Sequence, residues 1–159
     1  MEDKHKILWV EDGALYELAH LAGPIYLDGD YELHVAEDVS GAIDIIQKEK
    51  FQTIIVDIRL PPGANKQWLD IYKRAGNQKA AASLGLSFLK TILGSSKAEV
   101  KIDNRPSWLT ASMIGVLTVE SSSELHSELE ELGIRFYQRK SANMAETALL
   151  DIVKQICHR

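Results

Sequence analysis

Two acids in succession, Glu11 and Asp12, close one short apolar run, and a third acid, Asp57, closes another. Thr118 and Lys140 stand at the ends of two further runs. In a parallel sheet these C-terminal strand ends share one edge, and open α/β sheets bind their ligands there. Clustered carboxylates repel one another and make a site for a hard divalent cation. Mg²⁺ fits, since it takes one or two carboxylates together with phosphate oxygens and water. With such an ion in place a carboxylate can act as a nucleophile towards phosphorus. Phosphoryl transfer then needs little beyond alignment and charge neutralisation. Lys140 would neutralise one phosphoryl oxygen and Thr118 would donate a hydrogen bond to another. These are the residue types that an aspartyl phosphate on Asp57 requires.

The elements that must position these residues are legible as alternating strands and helices. Ile54-Ile55-Val56 is an unbroken β-branched run, as expected of a strand covered on both faces. It ends on Asp57, and the chain breaks soon after at Pro61-Pro62-Gly63. Residues 6–10 predict a first strand running into Glu11-Asp12. Leu15, Leu18, Ala19, Leu21 and Ala22 predict a first helix that stops or kinks at Gly23-Pro24. The alternation in residues 31–36 suits a strand nearer the sheet edge, with His34 facing solvent. Asp38 predicts an N-cap for a second helix with Val39, Ala42, Ile43 and Ile46 inward. A third helix follows from Leu84, Phe88, Leu89 and Ile92, with Gly94 as its stop. Residues 113–118 predict a fourth strand. Residues 121–132 predict a fourth helix opened by a capping box from Ser121 to Glu124. Residues 134–138 predict a fifth strand, and residues 143–157 a last helix. Strands alternating with helices specify a doubly wound, flavodoxin-like sheet of five parallel strands, in the order 2-1-3-4-5, with helices on both faces. In that order the crevice between strands 1 and 3 holds Asp12 beside Asp57.

Residues 64–84 interrupt this regularity. Trp68, Leu69, Ile71 and Tyr72 predict a short amphipathic helix broken at Gly76-Asn77, an insertion after the strand of Asp57. From residue 59 to 84, Arg59, Lys66, Lys73, Arg74 and Lys79 stand against Asp70, a local charge of +4. Residues 119–133 carry five glutamates and no lysine or arginine. The two segments are expected near the same edge, attracting each other or presenting a two-signed docking surface.

The bulk properties bound the possibilities. The 159 residues are read as one domain, 45% apolar and 26% charged. A net charge of −5 argues against a broad nucleic-acid surface. No apolar run approaches the roughly 18 residues of a membrane span. The N-terminus runs straight into a strand without a signal-peptide core. Cys157 is the one cysteine, which excludes a disulfide framework and a cysteine metal site. The expected compartment is the cytoplasm, and no appended effector domain is expected after the last helix.

The segments 7–12, 54–61, 114–118 and 136–140 together resemble the receiver domain of two-component response regulators. The resemblance covers nearly the whole chain apart from the region around 64–84. It implies that Asp57 accepts a phosphoryl group from the phosphohistidine of a sensor histidine kinase or a phosphotransfer protein. It implies that Glu11, Asp12, Asp57 and the backbone carbonyl of Arg59 bind Mg²⁺, and that Thr118 and Tyr137 form the switch pair. The protein would then be a stand-alone signalling receiver that docks to a downstream partner. It would be no enzyme towards a separate substrate, although it assists its own phosphotransfer and autodephosphorylation. A homodimer is left open.

The sequence departs from that family's pattern in four places. Ser141 follows Lys140 where proline is usual. Val119 follows Thr118 where a small residue is usual, and its bulk would narrow access to the pocket. Arg59 and Glu120 occupy the two positions that flank the pocket, where opposite charges would pair across its mouth and slow the access of water. Residues 64–84 enlarge the loop after Asp57. These departures sustain a second reading, a receiver-like interaction domain that works without phosphorylation. A haloacid-dehalogenase-type phosphatase is disfavoured, because Arg59 stands where its general acid would be. A nucleotide-binding flavodoxin-like protein is disfavoured by the lack of a phosphate-binding glycine loop.

Overall fold

A computed structural model describes residues 3–158, so Met1, Glu2 and Arg159 of the 1–159 span lie outside the described residues. Five strands form one parallel sheet: β1 (His5–Val10), β2 (Tyr31–Ala36), β3 (Thr53–Val56), β4 (Ile114–Thr118) and β5 (Phe136–Arg139). Their order is β2-β1-β3-β4-β5, as the strand–helix alternation predicts, with β2 at one edge. The helices are α1 (Gly23–Asp28), α2 (Val39–Lys48), α3 (Lys66–Arg74), α4 (Lys79–Ala82), α5 (Leu84–Ile92), α6 (Ser123–Leu132) and α7 (Ala148–Cys157).

Side-chain alternation along the strands divides the apolar interior in two. Leu8, Val10, Ile54, Val56, Ile114 and Val116 face a core closed by α2, α3, α5 and α6. Ile7, Trp9, Ile55 and Leu117 face a second core closed by α1 and α7. Covering both faces explains why β3 is fully buried along its length and reads as an unbroken apolar run. Asp38 caps α2 as expected, its side chain accepting from the Gly41 amide at 2.7 Å. No helix among the described residues is long and apolar enough to cross a membrane.

Five local expectations are corrected. Gly23-Pro24 opens α1 instead of ending a helix, because proline suits the first helical turn, where its missing N–H has no partner to lose. Residues 13–18 are turns, and Leu15 is 59% exposed although it fits a helical stripe. The N-cap of α6 is Ser122, which accepts from the Leu125 amide, so the capping box from Ser121 to Glu124 does not form. The last helix begins at Ala148, where its buried stripe begins, and not at residue 143. His34 is only half-buried and hydrogen-bonds Glu32, with its ring edge-on to Phe51.

The 64–84 segment is helical. Asn65 caps α3, which buries Trp68 and Ile71 against the first core. The chain then turns through Gly76 and Asn77 into the single turn of α4.

Candidate functional site

Strand register sets the positions of the acids. Val10 pairs with Val56, and the ladder runs one residue further, since the Asp57 amide donates to the Val10 carbonyl at 3.0 Å. Glu11 and Asp57 therefore leave neighbouring strands side by side. Across the sheet Thr118 pairs with Arg139, and the Lys140 amide donates to the Thr118 carbonyl at 2.8 Å. That bond turns Lys140 back over the strand ends. Ser141 follows Lys140, and there is no cis peptide bond among the described residues.

Glu11, Asp12 and Asp57 each offer a carboxylate oxygen within 4.8 Å of the others. Glu11 and Asp57 are almost wholly buried. The Lys140 ammonium lies 2.5 Å from Glu11 Oε1 and 3.0 Å from Asp57 Oδ2, bridging both. The second oxygen of Glu11 accepts from the Gly13 amide at 3.0 Å. Asp57 Oδ1 accepts from the Arg59 amide at 3.3 Å, which holds the backbone of residue 59 against the cluster. Hard oxygen donors in a partly desolvated group, short of compensating charge, are the donor set that Mg²⁺ takes. The residues fit such an ion.

The electrostatics carry the strain of this crowding. Burial and the neighbouring Asp57 charge push the Glu11 carboxyl up to about 7, and Lys140 offsets them only in part. Burial disfavours the Lys140 ammonium, but Asp57 and Glu11 outweigh it and raise its pKa. For Asp12, burial works upward, yet the hydrogen bond and charge of Lys79 leave the carboxyl below its ordinary value.

Lys79 was not singled out by sequence. Its Nζ donates to Asp12 Oδ2 at 2.7 Å, so the 64–84 segment reaches back into the acidic cluster. The sequence signal was only the basic character of the segment, which does not say where it folds. Gly85 was also missed. A Cβ there would lie 1.9 Å from the Asp57 carbonyl oxygen and 2.6 Å from Ile58 Cα, so α5 packs its first turn onto the backbone at Asp57 and Ile58. A lone glycine inside an apolar helical stripe was the available signal.

Glu120 gathers the remaining expected residues. Its carboxylate pairs with Arg59 across the mouth of the site, as the opposite charges predict. Its amide donates to Thr118 Oγ1 at 3.4 Å, and its carbonyl accepts from the Tyr137 hydroxyl. Thr118 is fully buried, while Tyr137 is half-buried with its ring edge-on to His126. Val119 is 40% exposed. With Leu18, Lys140 and Met144 it lines a cavity of about 490 Å³ beside the site. The expected attraction between the basic and acidic segments is narrower than supposed. Glu128 and Glu131 pair with Lys90 and Lys97, outside the basic segment, while Arg74 pairs with Glu99.

No family model matches the sequence, and no curated protein matches it. Solved structures do. The non-phosphorylated HemR receiver domain from Leptospira biflexa superposes with a TM-score of 0.64 at 18% identity, covering 98% of this chain and 96% of that one. A two-component response regulator from Clostridium difficile gives 0.63 at 18% identity, with 98% of each chain covered. The chemotaxis response regulator CheY4 of Vibrio cholerae gives 0.60 at 21% identity, covering 97% of this chain and 99% of that one. Over nearly its whole length the chain has the fold of response-regulator receiver domains.

Proposed function

We propose that the protein is a phosphoryl-accepting receiver that signals by docking to a protein partner. The observation that carries this reading is the Lys140 ammonium, 3.0 Å from the Asp57 carboxylate within a group of three acids. In this reading Asp57 attacks the phosphorus of a phosphohistidine on a sensor kinase or phosphotransfer protein. A P–O bond forms, the P–N bond breaks, and the imidazole nitrogen leaves with the electron pair and takes up a proton. Glu11, Asp12, Asp57 and the Arg59 carbonyl would hold Mg²⁺, which supplies charge neutralisation for the phosphoryl oxygens. Lys140 holds a further oxygen, Thr118 donates to another, and Tyr137 responds through residue 120.

The test is intact mass after incubation with Mg²⁺ and acetyl phosphate. A single phosphoryl adduct is expected on the wild type and none on Asp57→Asn. An adduct on both proteins, or none on either with acetyl phosphate and with a phosphohistidine donor, would overturn the reading. The second reading is interaction without phosphorylation. It is favoured by one observation, the Lys79 ammonium lying on Asp12, and the absence of any adduct is its expected result.

A further inference from the structure

Aspartyl-phosphate chemistry at Asp57 uses one lysine, Lys140. The structure supplies two. Lys140 is shared between Glu11 and Asp57, and Lys79 lies on the third acid, Asp12, at 2.7 Å. The side chains of this second pair are 45% and 28% exposed, so it sits at the open side of the cluster.

The segment that delivers Lys79 is lightly held. α4 is four residues long and buries none of them. It lies between Asn77 at φ 58° and Ser83 at φ 45°, two non-glycine residues in the left-handed region that disfavours side chains. On either side the chain is anchored. α3 buries Trp68 and Ile71, and α5 begins with the buried Leu84 and Gly85 against Asp57 and Ile58. Residues 76–81 are exposed and Ala82 is half-buried against the first core, so the segment is a short strap between two packed helices, tied to the acidic cluster by the Lys79 ammonium.

We propose that Lys79 is a tethered cation that stands in for the divalent ion at Asp12. Binding of the ion displaces it, and the loading state of the pocket is passed to the strap. This rests on the metal assignment made for the proposed function. The Lys79 ammonium on Asp12 Oδ2 repels a divalent ion drawn to the same carboxylate, and at the open side of the cluster it is free to move away. The tether makes the competitor intramolecular, present at high effective concentration whatever the ionic strength. Once Lys79 leaves, α4 keeps only the half-buried Ala82 against the first core, and its backbone becomes the least protected part of the segment.

Isothermal titration of the full chain with MgCl₂ tests this, on the wild type, Lys79→Ala, Lys79→Arg and Lys73→Ala. Lys73 is an exposed lysine of α3, and replacing it makes the same change in net charge. Lys79→Ala is expected to bind Mg²⁺ about three- to fivefold more tightly, the scale of a partly exposed ion pair. Lys79→Arg and Lys73→Ala should stay close to the wild type. Hydrogen exchange adds a readout independent of affinity. Mg²⁺ should speed exchange of amides 79–83 in the wild type and leave them unchanged, already fast, in Lys79→Ala. An equal or weaker affinity in Lys79→Ala, or a strap that Mg²⁺ does not loosen, would overturn the role of Lys79 and leave the metal assignment standing. Failure of all four proteins to bind Mg²⁺ would overturn both.

Discussion

Glu11 should make the metal-free protein lose stability as pH rises through the neutral range. Its carboxyl is 1% exposed and is raised from 4.5 to about 7 by burial and by Asp57. Between those values the folded chain holds a proton that the unfolded chain has released. Stability from this group is therefore largest below pH 4.5 and declines up to about pH 7. At about 1.4 kcal/mol per pH unit the full interval amounts to about 3 kcal/mol, a large share of a typical domain's 5–15. Burial lowers the pKa of His5, which acts in the opposite sense as pH falls below 6.5. A difference between two proteins cancels it. The perturbation is Glu11→Gln, which imitates the protonated acid, and the assay is urea unfolding in EDTA at intervals from pH 5 to 8.5. The variant should match the wild type near pH 5 and exceed it by about 2–3 kcal/mol at pH 8. The same proton competes with a cation, so wild-type Mg²⁺ affinity should be about tenfold weaker at pH 6 than at pH 8. Parallel stability curves for the two proteins would refute the reasoning, because they would mean that Glu11 is ionised at neutral pH without penalty.

Two further outcomes follow from contacts around the cluster. Gly85→Ala forces a methyl against the Asp57 carbonyl, 1.9 Å away, where no flexible side chain can yield. It should lower the melting temperature by about 5–10 °C in a circular-dichroism melt and abolish the acetyl-phosphate adduct. Replacing Arg59 and Glu120 together by alanine removes the ion pair across the mouth of the site. Hydrolysis of the aspartyl phosphate, followed by intact mass over time, should become several-fold faster, and an unchanged rate would remove the pair's gating role.

How much of this was legible in the sequence depends on how local the cause is. Ile54-Ile55-Val56 announced a doubly covered strand because burial on both faces leaves no polar positions, and Asp57 at its end located the site edge. Glu11, Asp12, Asp57 and Lys140 converge because parallel strands align their ends, a consequence of topology alone. The misreadings are of another kind. Gly23-Pro24 is compatible with the end of one helix or the first turn of the next, and only the depth of Ile25 in the core decides. Three consecutive serines leave the start of α6 ambiguous by a residue, and the exposure of Ser121 and Ser122 gives no burial pattern to fix it. Lys79 lies 67 positions from Asp12. Its contact depends on how the strap folds, and no periodicity in residues 64–84 encodes that.

Residue 120 shows how a charge at Asp57 could leave the pocket. Its carboxylate is tied to Arg59, two positions after Asp57, and its amide to the Thr118 hydroxyl. Its carbonyl is tied to the Tyr137 hydroxyl. If Asp57 is phosphorylated and Thr118 turns its hydroxyl to a phosphoryl oxygen, the Glu120 amide loses an acceptor that is already distant at 3.4 Å. The peptide between Val119 and Glu120 is then released, and a shift of the loop carries the Glu120 carbonyl and the Tyr137 hydroxyl bonded to it. The two hydroxyls are linked through residue 120. Because consecutive backbone groups of one loop serve both, they cannot rearrange independently, which is the requirement for a two-state element biased by a local charge.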